Sequence, residues 1–255
     1  MKRGTVLITG ASSGIGEAFA RKFAEEGFDL VLTARRADRL EALMDELRSV
    51  NVQVYPTDLA IDENVDSLCE FIETEQINVD LLVNNAAMMI EQPFEEMTES
   101  QVLQTIALNM TAATRLTHRF LPDMMQRRGG RILNVASIAA FHPIPGMDLY
   151  AATKAFILSL TESLSENLKG TGVSVTALCP GITDTGMMDQ RIAGSLPPFA
   201  ISSPEEVARE GYDALMQRDV IRIPGQANKL AVTVAQLQPR WLVRALGGLA
   251  SRLNR

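Results

Sequence analysis

"TVLITGASSGIGEAFA", residues 5–20, is the stretch on which the reading of the fold turns. It opens with a short β-branched and apolar run. It passes into a helical pattern, with Ile15, Phe19 and Phe23 at four-residue spacing and Gly27 as a stop. Such a run followed at once by helical periodicity reads as strand, tight turn and helix. Three glycines hold the junction. Gly10 permits the turn, Gly14 lets the backbone approach a pyrophosphate, and Gly16 lets the helix lie close to the strand. The helix N-terminus presents N–H groups and the positive end of its dipole to phosphates. Ser12 and Ser13 add hydroxyl donors. A turn that needs glycine for steric reasons alone is the plainer alternative, and three glycines in this register argue against it.

Outward from this unit the alternation repeats. Strands are expected at 5–9, 29–34, 52–56, 80–85, 131–137, 173–179 and 220–223. Helices are expected at 14–26, 37–49, 99–128 and 148–169. Most of the strands are continuously apolar, as strands covered on both faces must be. The expectation is one α/β domain over residues 1–255: a doubly wound Rossmann sheet of about seven parallel strands with helices on both faces. Two segments break the rhythm. Residues 183–204, rich in Met, Gly and Pro, read as a mobile substrate loop with a short helix. Residues 226–255 read as a helical tail whose charge is mostly arginine.

Composition removes several function classes. The formal net charge of −7 gives no basic face for nucleic acid. Cys69 and Cys179 lie in apolar surroundings and read as buried thiols in a reducing compartment, and no metal site is expected. The N-terminal apolar run is too short for a signal peptide, and no stretch of about 18 apolar residues exists to span a membrane. The expected location is the cytoplasm. "PRWLVRALGGLASRLNR" at the end mixes Trp, Leu and Arg as an interfacial helix does. Packing on the body or on another subunit is the favoured reading, with membrane-surface contact as the alternative.

The glycine spacing, with Thr9, Gly10, Gly14 and Gly16, departs from G-x-G-x-x-G. It resembles the T-G-x-x-x-G-x-G of the short-chain dehydrogenase/reductase family. Other positions agree. "LYAATKAFILSL" carries Tyr150 and Lys154 in the spacing of the family's Y-x-x-x-K. Ser137 lies 13 residues earlier, where the family has its serine, and "ALNMTAA" supplies Asn109. The resemblance spans roughly residues 5–225. It implies catalytic roles for Asn109, Ser137, Tyr150 and Lys154. It also implies a nicotinamide dinucleotide held by Gly10, Ser12, Ser13, Gly14, Ile15 and Gly16. Asp58 and Leu59 would lie against the adenine, and Asn85 and Ala86 against the cofactor loop. Pro180, Gly181, Thr183 and Thr185 would hold the carboxamide. Asn84 and Asn85 match the family's N-N-A-G, with Ala87 replacing the glycine. The family also implies a homodimer or homotetramer through the long helices.

Physical chemistry assigns the roles. Carbonyl reduction needs a hydride, a proton and stabilisation of the developing alkoxide. Tyr150 would give the proton, and a cation one turn away would favour its phenolate and lower its pKa. Ser137 would polarise the substrate oxygen, and Asn109 would relay protons to Lys154 through a water, by analogy with the family. At the end of the second strand an acid would select NAD; here Ala34 is followed by Arg35 and Arg36, whose guanidinium forks suit the 2′-phosphate of NADP(H). Met88, Ala139, Phe141, Met147, Met187 and Met188 are expected to form an adaptable apolar substrate pocket. These readings make the chain an NADPH-dependent reductase of a ketone or aldehyde, with a small-molecule carbonyl or alcohol as partner. An NADP-binding sensor or scaffold without turnover is the alternative.

Overall fold

Thr5–Thr9 forms β1, and the strand–turn–helix unit that it opens sets the pattern for the chain. The structure is a computed structural model, and it describes residues 3–144, 146–185 and 201–238. The strands are β1 (Thr5–Thr9), β2 (Asp29–Ala34), β3 (Val52–Pro56), β4 (Val79–Asn84), β5 (Gly130–Val135), β6 (Val173–Leu178) and β7 (Ile221–Arg222). They form one parallel sheet in the order β3-β2-β1-β4-β5-β6-β7. Between them run α1 (Gly14–Glu25), α2 (Ala37–Glu46), α3 (Asp62–Thr74), α4 (Glu99–Ile106), α5 (Ala113–Gln126), α6 (Asp148–Asn167), α7 (Pro204–Gln217) and α8 (Gln226–Gln236). The chain turns in opposite directions on either side of β1 and β4. In a doubly wound sheet this is where the crevice for a ligand opens, beyond the carboxyl ends of the strands.

The sheet is buried on both faces, which explains its continuous apolar runs. On one face Phe19, Phe23, Leu40, Val207 and Leu215 pack on Ile8, Leu32 and Leu133. Phe23 meets Phe28 edge-on at 5.5 Å and Tyr212 at 5.4 Å. On the other face Leu68, Ile72, Leu116, Phe120 and Met124 cover Leu7, Leu82 and Ile132. Each such fully buried side chain contributes about 1.5–3 kcal/mol. A polar thread crosses this second face. The Asn84 amide donates to Asn134 Oδ1 (2.9 Å) and Thr117 Oγ1 (3.0 Å), and Asn134 donates to Thr161 Oγ1 (2.9 Å). It joins α5, β4, β5 and α6 with satisfied buried donors, and so fixes the lateral position of α6.

The glycine turn behaves as its spacing predicts. Gly10 and Gly14 adopt φ of +67° and +55°, the left-handed region that disfavours side chains. A Cβ on Gly16 would collide with the Gly10 carbonyl oxygen and the Asn85 amide. Gly16→Ala therefore overpacks backbone against backbone, a cost of about 1–3 kcal/mol. It is expected to lower the melting temperature by several degrees, read by thermal unfolding. An unchanged melting curve would show that the turn can open without cost.

Several boundaries differ from the sequence expectation. The helix expected over 37–49 ends at Glu46, and the seventh strand shortens to Ile221–Arg222 at the sheet edge. The helix expected over 99–128 is three pieces: α4, a π-helical segment Ala107–Ala112, and α5. π-turns insert an extra residue and redirect side chains; here the redirected residue is Asn109, 2% exposed. Ala87, in place of the family's glycine, is not among the residues with positive φ, so its methyl meets no backbone strain. Residues 186–200 of the expected substrate loop and 239–255 of the tail lie outside the described residues. The part of the tail that is described is helical, as α8. Among the described residues no helix is long and apolar enough to cross a membrane.

Candidate active site

The carboxyl ends of β1, β4, β5 and β6 face one edge of the sheet, and the expected site residues lie there or on the segments that follow. β1 delivers the glycine turn. Thr9 Oγ1 accepts from the backbone N–H of Asn85 and Ala86, both at 2.9 Å, and so welds the β4 loop to that turn. Asn85 donates to the carbonyls of Thr9 (2.9 Å) and Gly10 (3.3 Å). Its side chain braces the glycine turn from behind. Ser13 stands at the N-cap of α1, and no side chain caps that helix. The orphan N–H groups of its first turn are left as donors. An uncapped helix start behind a turn of left-handed glycines fits a pyrophosphate.

Arg36 folds over this turn. Its Nη2 donates to Ser12 Oγ and to the Ser12 carbonyl, both at 3.1 Å. The guanidinium is thereby held beside the glycine turn. Arg35 is exposed and makes no hydrogen bond among the described residues, and Ala34 before it contributes no acid. Asp58, after β3, accepts from the Ala60 N–H (3.0 Å) and orders its own turn; Leu59 behind it is buried.

At the end of β5, Ser137 has two tasks. Its Oγ accepts from the Ala139 N–H (3.1 Å), capping a short 3₁₀ turn, Ile138–Ala140. Its side chain also acts on the Tyr150 phenol, favouring the phenolate. Pro180, after β6, accepts from the Ile138 N–H (2.9 Å), which aligns the two loops. Gly181 packs against the Asn228 side chain of α8. Thr183 donates to the Gly181 carbonyl (3.2 Å), and the Thr185 methyl lies against Gly14. The β6 loop thus closes over the glycine turn.

Tyr150 and Lys154 stand one turn apart on α6, as their spacing requires. Lys154 is 3% exposed. Its Nζ donates to the Val135 carbonyl (2.8 Å) and lies 5.6 Å from the centre of the Tyr150 ring. Burial holds this ammonium down to about 8, against a smaller opposing effect of Cys179. The expected depression of the Tyr150 phenol by Lys154 is not what the geometry gives. Burial raises the Tyr150 pKa, and Ser137 offsets this only in part. The Lys154 ammonium donates to the Val135 carbonyl, and among the described residues no hydrogen bond joins it to the phenol oxygen, so burial dominates at Tyr150. Cys179 is buried and free, its thiol pushed up to about 12 by burial, so it is inert as a nucleophile.

Asn109 turns inward from the π segment and clasps the loop after β4. Its Oδ1 accepts from the Met88 N–H (2.8 Å), and its Nδ2 donates to the Met88 carbonyl (2.9 Å) and to Thr153 Oγ1 (3.1 Å). The side chain is therefore a clamp, which leaves the backbone of the π segment for any water relay.

A shallow cleft, open to solvent, adjoins Tyr150, with Ile90, Phe94, Met97, Met147 and Leu149 in its wall. Of the expected pocket residues, Met147 lines it. Met88 is held by Asn109. Ala139 is buried under the 3₁₀ turn, and Phe141 packs on the cluster around Ala136 and Ile157. Met187 and Met188 lie outside the described residues. Ile90, Phe94 and Met97 had a signal in the sequence: the apolar and methionine-rich "MMIEQPFEEM" directly after β4. Among the described residues no group of His, Cys, Asp and Glu is placed to hold a metal.

The comparisons with known proteins agree with this geometry. The profile of the short chain dehydrogenase family matches residues 4–195. A sulfoacetaldehyde reductase from Chromohalobacter salexigens is 39% identical over 218 residues, covering 84% of each chain. The bulky-bulky ketone specific alcohol dehydrogenase from Comamonas testosteroni superposes with a TM-score of 0.80 at 30% identity, covering 98% of this chain and 95% of that one. A short-chain dehydrogenase from Sphingobium yanoikuyae in complex with NADPH gives 0.79 at 33% identity, covering 98% and 94%. A glycine turn, Ser137, Tyr150 and Lys154 in this arrangement, under a family match over most of the sequence, lead to one conclusion: the chain belongs to the short-chain dehydrogenase/reductase family of oxidoreductases.

Proposed function

We propose that the protein is an NADPH-dependent reductase of uncharged, apolar ketones or aldehydes, able to run in reverse on the alcohols. The observation that carries this reading is the placement of Ser137, Tyr150 and Lys154 together at the carboxyl end of β5, with Tyr150 in the wall of the cleft and Lys154 one turn behind it. When bound, the nicotinamide supplies the hydride. Ser137 and Tyr150 both hydrogen-bond the substrate oxygen. This polarises the carbonyl and stabilises charge as it develops. Tyr150 delivers the proton, and its raised pKa keeps the phenol protonated near neutral pH, the form that reduction needs. Lys154 steadies the phenolate left behind. Among the described residues the cleft is lined by Asp148 and by no cation. That weighs toward a neutral substrate, as with the bulky ketones of the Comamonas enzyme, and away from a sulfonate such as sulfoacetaldehyde.

The NADPH preference rests on Arg36, pre-placed on Ser12, and on the missing acid at Ala34. It is tested by NADPH consumption against NADH across bulky ketones, aldehydes and sulfoacetaldehyde. Arg36→Ala is expected to raise the KM for NADPH on the order of tenfold and leave that for NADH unchanged. Preference for NADH would overturn the cofactor assignment, and NADPH binding without turnover of any carbonyl would overturn the reductase. The same reading carries a cytoplasmic homodimer or homotetramer. Exposed Leu103 on α4 and Phe156 on α6 give the family's helix–helix interface an apolar face, which light scattering can check.

A further inference from the structure

Thr153 sits between the two catalytic residues of α6 and has no part in the mechanism above. It is fully buried, at 0% exposure. Its hydroxyl donates to the Tyr150 carbonyl at 2.8 Å and accepts from Asn109 Nδ2 at 3.1 Å. Asn109 in turn holds the Met88 backbone through both its N–H and its carbonyl. A continuous hydrogen-bonded line therefore runs from the β4 loop, through the π segment, into the first turn of α6.

From this line we propose that Thr153 is a positioning residue: it locks the Asn109 amide and fixes Tyr150 relative to the β4 loop. The amide leaves no freedom. With Oδ1 on the Met88 N–H, both Nδ2 hydrogens point at acceptors, the Met88 carbonyl and Thr153 Oγ1. The reverse orientation would set a donor against the Met88 N–H and an acceptor against its carbonyl. Thr153 supplies the one acceptor that is not on the β4 loop, so it alone ties that clamp to α6. A buried amide hydrogen without this acceptor must seek another and turn the ring of contacts with it. The catalytic consequence rests on the proposed role of Tyr150, whereas the tie itself does not.

The experiment compares Thr153→Val, which keeps the shape and loses the hydroxyl, with Thr153→Ser, which keeps the hydroxyl. Carbonyl reduction and amide hydrogen exchange at Met88 are measured in both. Expected for Thr153→Val is a kcat lower on the order of tenfold, from a small misplacement of the acid. The KM for NADPH stays within about twofold, since the phosphate-binding turn is not part of this line. Met88 exchange quickens on the order of tenfold as its hydrogen bond loosens. Thr153→Ser should restore all three values. Wild-type kcat in Thr153→Val would overturn the proposal, as would a loss in Thr153→Ser of the same size. If no carbonyl is reduced even by the unaltered protein, faster Met88 exchange in Thr153→Val alone still supports the tie and the reductase reading fails separately; unchanged exchange overturns the tie.

Discussion

Tyr150→Phe is expected to lower kcat by about a thousandfold or more, with NADPH affinity changed less than about threefold. A positioned proton donor is worth about 10²–10⁴ in rate. Here the same hydroxyl also shares the substrate oxygen with Ser137, so its removal takes a stabilising hydrogen bond as well. Among the described residues lining the cleft none is an evident replacement: Asp148 is exposed, Thr105 is a weakly acidic alcohol, and the others are apolar or amide. Binding should survive because the glycine turn and Arg36 follow the ends of β1 and β2, away from α6. The direction of the Tyr150 shift gives this prediction a pH dependence. With the phenol raised above its ordinary value, the protonated donor dominates through neutral pH. The reverse reaction needs the phenolate, so alcohol oxidation should rise with pH while reduction does not. A Tyr150→Phe enzyme that keeps more than a tenth of the wild-type kcat would remove Tyr150 from the proton path.

The fold was legible because each device that builds it is local. The glycine turn shows as Gly10, Gly14 and Gly16 between an apolar run and a helical period, and the covered strands show as unbroken β-branched stretches. The candidate catalytic residues stood out for a different reason: Ser137, Tyr150 and Lys154 lie at spacings that the family resemblance makes specific. What the residues alone could not reveal is where a side chain's hydrogen bonds end. Lys154 reads as a cation aimed at Tyr150, yet its ammonium meets the Val135 carbonyl on a strand 19 residues earlier. Arg36 reads as a phosphate ligand, yet it is already folded on Ser12. The π segment was also hidden, because "ALNMTA" has ordinary helical composition. It carries the buried clasp between Asn109 and the Met88 backbone, a contact 21 residues apart. Periodicity reports faces, and such contacts are made between elements that the period does not relate.

Lys154→Met should inactivate the enzyme and stabilise the fold at the same time. The buried ammonium titrates near 8, against about 10.5 in an unfolded chain. The folded state therefore holds its proton less tightly. Between pH 8 and about 10.5 the unfolded chain binds more protons, and stability attributable to this group rises with pH across that window. Below pH 8 the full cost of burying the charge is present. A shift of this size corresponds to a penalty on the order of 3 kcal/mol, since each pKa unit is about 1.4 kcal/mol. Because the group is almost completely buried, solvent screening does not reduce it much. Methionine fills the same channel without charge, but it leaves the Val135 carbonyl without its donor, which costs about 1–3 kcal/mol. The balance favours the variant by up to about 2 kcal/mol near neutral pH, a rise of several degrees in melting temperature for a chain of this length. The gain should shrink as pH is raised from 7 toward 10, while turnover at pH 7, where Lys154 of the wild type still carries its charge, falls at least about a hundredfold for want of a cation near the phenolate. Melting curves at pH 7 and 9, alongside kcat, check both parts. A variant that melts lower than wild type at pH 7, or whose advantage grows with pH, would show that the site stores no charge-burial strain at Lys154. A variant with near-normal kcat would show that Tyr150 transfers its proton unaided.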